Sequence, residues 1–144
     1  MSELYPRAGV SVAVFRGNDA VLLVQRSKGP YTGFWSLPGG SIRWGEAAAD
    51  AGRRELEEET GLLASTLTLG DVADAIVRDC GGNTSMHYTI VVFAASGVSG
   101  ALAASGDAMA AGWFGREARM RLKRTPGLEA AIENARRALD KDEK

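Results

Sequence analysis

A chain of 144 residues, 45% hydrophobic and 24% charged, has the size of one compact domain and can bury a core without disulfide or metal staples. Its 17 basic and 18 acidic residues leave a formal net charge of −1, without the global basic field that binders of long nucleic acid use, and no stretch approaches the roughly 20 apolar residues of a membrane span. The single cysteine, Cys80, excludes an internal disulfide and a multi-cysteine metal site; residues 1–16 lack the basic start and cleavage region of a secretory signal, so a soluble protein of the reducing cytoplasm is expected.

Residues 9–15 and 20–24 are β-branched, apolar runs separated by Arg16, Gly17, Asn18 and Asp19, which predicts a β-hairpin. Residues 27–33 are punctuated by Gly and Pro. Phe34, Trp35, Ser36 and Leu37 then form a short extended piece stopped by Pro38, Gly39 and Gly40, and a glycine-rich loop is expected to follow. Residues 46–60 are dense in Ala, Glu, Arg and Leu, with Gly61 in the usual place just past a helix end. Residues 67–78 and 84–95 predict two more strands around the turn cluster 79–83, and 110–114 a short one. Pro126 opens a last helix with Leu128, Ile132, Ala135 and Leu139 at helical spacing, and residues 140–144 are expected to fray. Strands, a helix, more strands and a closing helix imply an α/β class: a single domain over 1–144, without internal repeat, in which helices cover both faces of a mixed sheet.

Acid is concentrated between Glu46 and Glu59. Glu55, Glu58 and Glu59 fall at i, i+3 and i+4, so they share about 100° of one helix face while Gly52 and Leu56 take the adjoining flank. Three carboxylates so close raise one another's pKa unless cations intervene, and hard divalent ions suit oxygen donors best. Mg²⁺ is the favoured ion, with Mn²⁺ as a substitute. The chemistry this implies is hydrolysis at phosphorus, in which a metal neutralises phosphate oxygens and lowers the pKa of water while a spare carboxylate takes the proton. Gly39 and Gly40 would let backbone approach metal or phosphate, and Arg54 can pair with Glu46 or steady a ligand carboxylate. An acidic helix face is also, more often than not, merely solvated.

Between Gly40 and Leu62 the chain matches Gly-x5-Glu-x7-Arg-Glu-U-x-Glu-Glu-x-Gly-U, with U aliphatic, at every fixed position. That segment, with the Gly33-x-Trp35-x-Leu37-Pro38-Gly39-Gly40 lead-in, resembles the Nudix hydrolase family. The resemblance implies an α/β/α sandwich whose mixed β-sheet lies between helices. It makes Glu55, Glu58 and Glu59 metal ligands, with Arg54 beside them in the catalytic set. The Gly40 carbonyl becomes a further ligand and Glu46 with Arg54 a supporting ion pair. Both Glu55 and Asp107 stay open as the base.

Substrate contacts are expected from Arg26, Tyr31, Trp35 and Gly39. The competing readings are a surface salt bridge for Arg26, a surface position for Tyr31 and packing for Trp35 and Phe34. His87 is expected to be structural and Cys80 a bystander. The expected partner is a small nucleotide and the expected reaction cleavage of a nucleoside diphosphate linked to a group X, with ADP-ribose or a related nucleotide sugar considered first. The absence of proline between Pro38 and Pro126 counts against ADP-ribose. Pool-sanitising hydrolysis of (d)NTPs and a non-catalytic nucleotide sensor are the alternatives, and trimming of capped RNA ends comes last. Homodimers are common among the resembling enzymes, and the sequence leaves the oligomeric state open.

Overall fold

The computed structural model describes residues 4–142. β1 (Arg7–Ala13) carries Val10, Val12 and Ala13 into the core, β2 (Phe15–Arg16) follows directly, and β3 (Ala20–Arg26) is buried from Val21 to Val24. Strands covered on both faces take such unbroken apolar runs. β4 (Trp35–Ser36) and β5 (Gly39–Ser41) are short, α1 spans Ala48–Thr60, and β6 (Leu63–Arg78) and β7 (Thr84–Ser99) make one long hairpin. β8 (Ala108–Phe114), α2 (Arg116–Arg119) and α3 (Leu128–Asp142) complete the order.

These strands form two four-stranded sheets. The first runs β5-β1-β7-β6 and is mixed, because β1 lies parallel to β7 from Arg7↔Tyr88 to Ala13↔Ala94 and antiparallel to β5. In the second, β3 pairs antiparallel with β2, β4 and β8. α1 sets Ala51 against Val10 and Phe93, and Leu56 against Val12, Val14 and Leu22. α3 sets Leu128, Ile132 and Ala135 against Ala13, Leu23, Val92 and Ala94. The expected mixed α/β architecture with helices flanking sheets is therefore present.

Several boundaries differ from the sequence-based expectation. The predicted hairpin of 9–15 with 20–24 is split: β1 enters the first sheet, and only Phe15 and Arg16 pair with β3. The glycine-rich loop after Pro38 is instead β5, held by β1 in the register Gly9↔Ser41, Val10↔Gly40. β7 runs on through Ser99, past the end expected at 95, α2 lies in no predicted element, and α3 continues through Asp140 to Asp142, where fraying is expected, with 143–144 outside the described residues. Length and pairing in these places come from partners distant in sequence, which local propensity does not report.

Candidate active site

α1 ends where the sequence places its stop: Gly61 adopts φ 76°, and its N–H closes on the Glu57 carbonyl at 2.9 Å. The helix lies close on the first sheet at Gly52, where a Cβ would press to 3.1 Å from Leu67 and 3.3 Å from Val12. That seating aims Glu55 and Glu59 at β5 and leaves Glu58 toward solvent, its side chain 48% exposed.

Arg54 is the hub. Its Nε and Nη2 hold both oxygens of Glu46 at 2.9 and 3.0 Å, Nη1 reaches Glu55 at 2.9 Å and Glu58 at 3.3 Å, and Nη2 also donates to the Ser41 carbonyl at 3.0 Å. A planar five-donor guanidinium can serve so many acceptors; an ammonium cannot. Glu46 in turn accepts the Arg43 N–H at 3.0 Å, and these hydrogen bonds, Arg54's first, hold its carboxyl down at about 2. The same bonds, led by Glu46, raise Arg54 above its ordinary value. The supporting pair implied by the resemblance is thus formed, and Arg43 adds a second cation 3.7 Å from Glu58.

Glu59 is buried, 6% exposed, and accepts the Gly39 N–H at 2.9 Å. Burial pushes its carboxyl up to about 7; the Gly39 hydrogen bond opposes this, the charges of Glu55 and Asp107 add to it, and that of Arg26 opposes it. Glu55 is also raised, first by burial and then by Glu58 and Asp107, against the pull of Arg54. Gly40 faces Glu55 so closely that a Cβ there would stand 2.5 Å from its carboxylate oxygen. The cradle exists only because residue 40 lacks a side chain.

The other expected residues separate into those near this row and those away from it. Arg26 closes β3, within electrostatic reach of Glu59, and its Nε is buried with no hydrogen-bond partner among the described residues. Asp107 also acts on Glu55 and Glu59, while its exposed carboxylate pairs with Lys28 at 3.1 Å. Tyr31 packs against Phe34 with the rings tilted by 54° and their centroids 5.4 Å apart. Trp35, expected as a substrate contact, packs edge-on against Phe114 at 4.9 Å beside the main core, so its ring is engaged in packing. His87 sits half-buried in β7 opposite Ile76, and Cys80 is exposed in the hairpin turn.

Sequence reasoning missed the brace on the last turn of α1. Ser105 donates its hydroxyl to the Glu58 carbonyl and its N–H to that of Glu59 at 3.1 Å, and Ala103 N–H reaches Thr60 at 3.0 Å. The Asp107 carbonyl accepts both the N–H and the hydroxyl of Ser27, tying the brace to the end of β3. These partners stand 47 and 80 residues apart, and no local pattern marks them.

The three glutamates are not gathered around a point. Glu55 and Glu58 lean on Arg54 and Glu59 turns toward Gly39, so among the described residues no three His, Cys, Asp or Glu side chains are grouped closely enough to hold a metal ion. The donor chemistry nevertheless suits a hard divalent ion: all-oxygen side chains, two carboxyls whose charge is unfavourable as they stand, and a cradle without a Cβ.

The family model for the NUDIX domain matches residues 5–135. The chain is 34% identical over 113 residues to an ADP-ribose pyrophosphatase of Methanocaldococcus jannaschii, covering 78% of this chain and 64% of that protein. It is 36% identical over 112 residues to an 8-oxo-dGDP phosphatase of Mus musculus, covering 74% of this chain and 32% of that one. It spans less than two thirds of the length of these curated relatives. The crystal structure of a MutT NUDIX hydrolase from Burkholderia pseudomallei superposes with a TM-score of 0.80 at 30% identity, covering 91% of this chain and 98% of that one. With the Gly40-to-Leu62 pattern and the carboxylate row both in place, the chain belongs to the Nudix hydrolase family.

Proposed function

We propose that the chain is a divalent-metal-dependent pyrophosphohydrolase that cleaves the diphosphate of a small nucleoside diphosphate linked to a group X. The observation that carries the reading is the row Glu55, Glu58 and Glu59 on one helix face, the carboxyls of Glu55 and Glu59 raised and seated against β5 and Glu58 held by Arg54. A bound Mg²⁺, or Mn²⁺ in its place, would supply neutralisation of phosphate oxygens and a water of lowered pKa. Glu55, Glu58 and Glu59 would hold it, with the Gly40 carbonyl beside them.

The chain's own part is to bind and orient. Arg26 brings a guanidinium within electrostatic reach of Glu59, a planar cation suited to phosphate oxygens, and Gly39 keeps backbone close to the same carboxylate. Arg54 holds Glu55 and Glu58 in position while itself fixed by Glu46 and Ser41. A water oxygen bonds to phosphorus, the bridging P–O bond breaks, and the water proton passes to a carboxylate, Glu55 or Asp107. The products are a nucleoside monophosphate and phosphorylated X. ADP-ribose heads the substrates because the archaeal relative bears that activity in its name. The name of the mouse relative supports the second reading, hydrolysis of damaged nucleotides of the pool.

Purified protein incubated with Mg²⁺ and ADP-ribose, sugar nucleotides, dinucleotides and (d)NTPs, with products identified, separates these readings. Binding without turnover on every compound would favour a sensing module instead. Glu58→Gln and Glu59→Gln are each expected to lower turnover by at least about a hundredfold, as loss of a charged ligand or acid/base group does. Near-normal rates in both would remove the ligand assignment.

A further inference from the structure

The last turn of α1 is poorly stabilised by its own residues, yet it carries two of the three carboxylates of the row. Glu57, Glu58 and Glu59 follow one another at the C-terminal end, where the helix dipole disfavours negative charge, and the turn contains no basic residue. Its final carbonyls have no partners within the helix. Gly61 N–H takes that of Glu57, and the next three are taken from the loop 100–107. Ser105 gives its hydroxyl to Glu58 and its N–H to Glu59 at 3.1 Å, and Ala103 N–H goes to Thr60 at 3.0 Å. The loop is held in turn. Leu102 packs beside Leu56 and Leu62, and Ala108 N–H closes on the Ser105 carbonyl at 3.1 Å, where β8 begins.

We propose that Ser105 is a positioning residue for the reaction: its hydroxyl fixes the backbone of Glu58, and with it the places from which the Glu58 and Glu59 carboxylates meet a divalent ion. The proposal rests on the ligand roles given to these two glutamates above. Of the four carbonyl bonds that close the helix, three come from main-chain N–H groups, which any residue but proline supplies at the donor position. The fourth depends on a side chain, and that side chain is Ser105. Without the hydroxyl the Glu58 carbonyl is left to water, and a turn of three adjacent carboxylates unwinds from its end. The row then loses the i, i+3, i+4 spacing that sets its oxygens on one face. Leu56 and Ala51 still seat the rest of α1 on the sheets, so the change stays in the last turn. A residue that touches no ion thereby governs how tightly one is held.

Mn²⁺ alone is the probe, its unbound fraction read by electron paramagnetic resonance as the full chain is titrated, with Mg²⁺-dependent turnover of the cleaved nucleotide measured beside it. Ser105→Ala should weaken Mn²⁺ binding about tenfold and lower kcat with little change in the KM for nucleotide. Ser105→Thr, which keeps the hydroxyl, should restore both. Asn134→Ala removes a 2.9 Å hydrogen bond from α3 to Asp71 and serves as the control for stability: it should lower the melting temperature and leave Mn²⁺ affinity as it was. Unchanged affinity in Ser105→Ala, no recovery with threonine, or an equal loss in Asn134→Ala would overturn the proposal and leave the roles of Glu58 and Glu59 standing. A wild-type chain that binds no Mn²⁺ would remove those roles, and that of Ser105 with them.

Discussion

Glu59 shows at the level of one residue how a site of this kind opposes stability. Its carboxyl is displaced from an ordinary 4.5 to about 7, chiefly by burial, so the folded state holds a proton that the unfolded chain has already released. Below the unfolded value both states are neutral and nothing is lost. As pH rises through the window from about 4.5 to about 7 the folded state gives up stability, about 3 kcal/mol once Glu59 is fully ionised. Glu55 acts in the same direction. Glu46 is the opposite case: held down at about 2, it adds stability above the ordinary carboxyl range that is lost as pH falls through about 2. Metal-free protein should therefore melt at progressively lower temperature between pH 5 and 8, and Glu59→Gln should flatten most of that slope. Calorimetry of the two proteins across the range decides it, and an unchanged slope in the variant would show that burial of Glu59 is not the cause.

At the scale of elements, the site is a contact between α1 and β5, and the two differ in how well the sequence announces them. α1 is legible because its signals are local: strong helix formers, carboxylates at i, i+3 and i+4, and Gly61 at the stop. β5 is not, because Gly39, Gly40 and Ser41 have no strand propensity, and β1, some thirty residues earlier, makes them a strand. The same nonlocal pairing splits the expected first hairpin, and Ser105 braces Glu58 and Glu59 from across the molecule without any pattern of its own. Trp35 could be read either way from its neighbours, and only the ring of Phe114 shows which way it turned. Gly40→Ala tests the contact itself. The added methyl would stand 2.5 Å from a Glu55 oxygen, so either the carboxylate leaves its place or β5 moves off β1. Turnover is expected to fall at least about tenfold, the order of a misplaced catalytic group, while β1 and β7 keep the fold intact. Crystals of the variant would show which partner shifted, and an unchanged rate would mean that the cradle has no bearing on catalysis.

Across the whole molecule, three separate stretches of sequence meet at the carboxylate row: the end of β3 with Arg26, the consecutive elements β5 and α1, and the loop 100–107 with Ser105 and Asp107. The unfolded chain cannot bring them together, so a cation held there binds the native state alone and stabilises it by mass action, about 2.7 kcal/mol at a hundred times its dissociation constant. The same ion would relieve the raised carboxyls of Glu55 and Glu59, so metal and protons compete for one place. Adding saturating Mg²⁺ at pH 8 should raise the melting temperature by several degrees, and the increment should shrink toward pH 5 as Glu59 takes up its proton. In the double variant Glu58→Gln, Glu59→Gln the increment should vanish at both pH values. A rise of the same size in that variant would place the cation elsewhere on the protein, whatever the effect of the two substitutions on turnover.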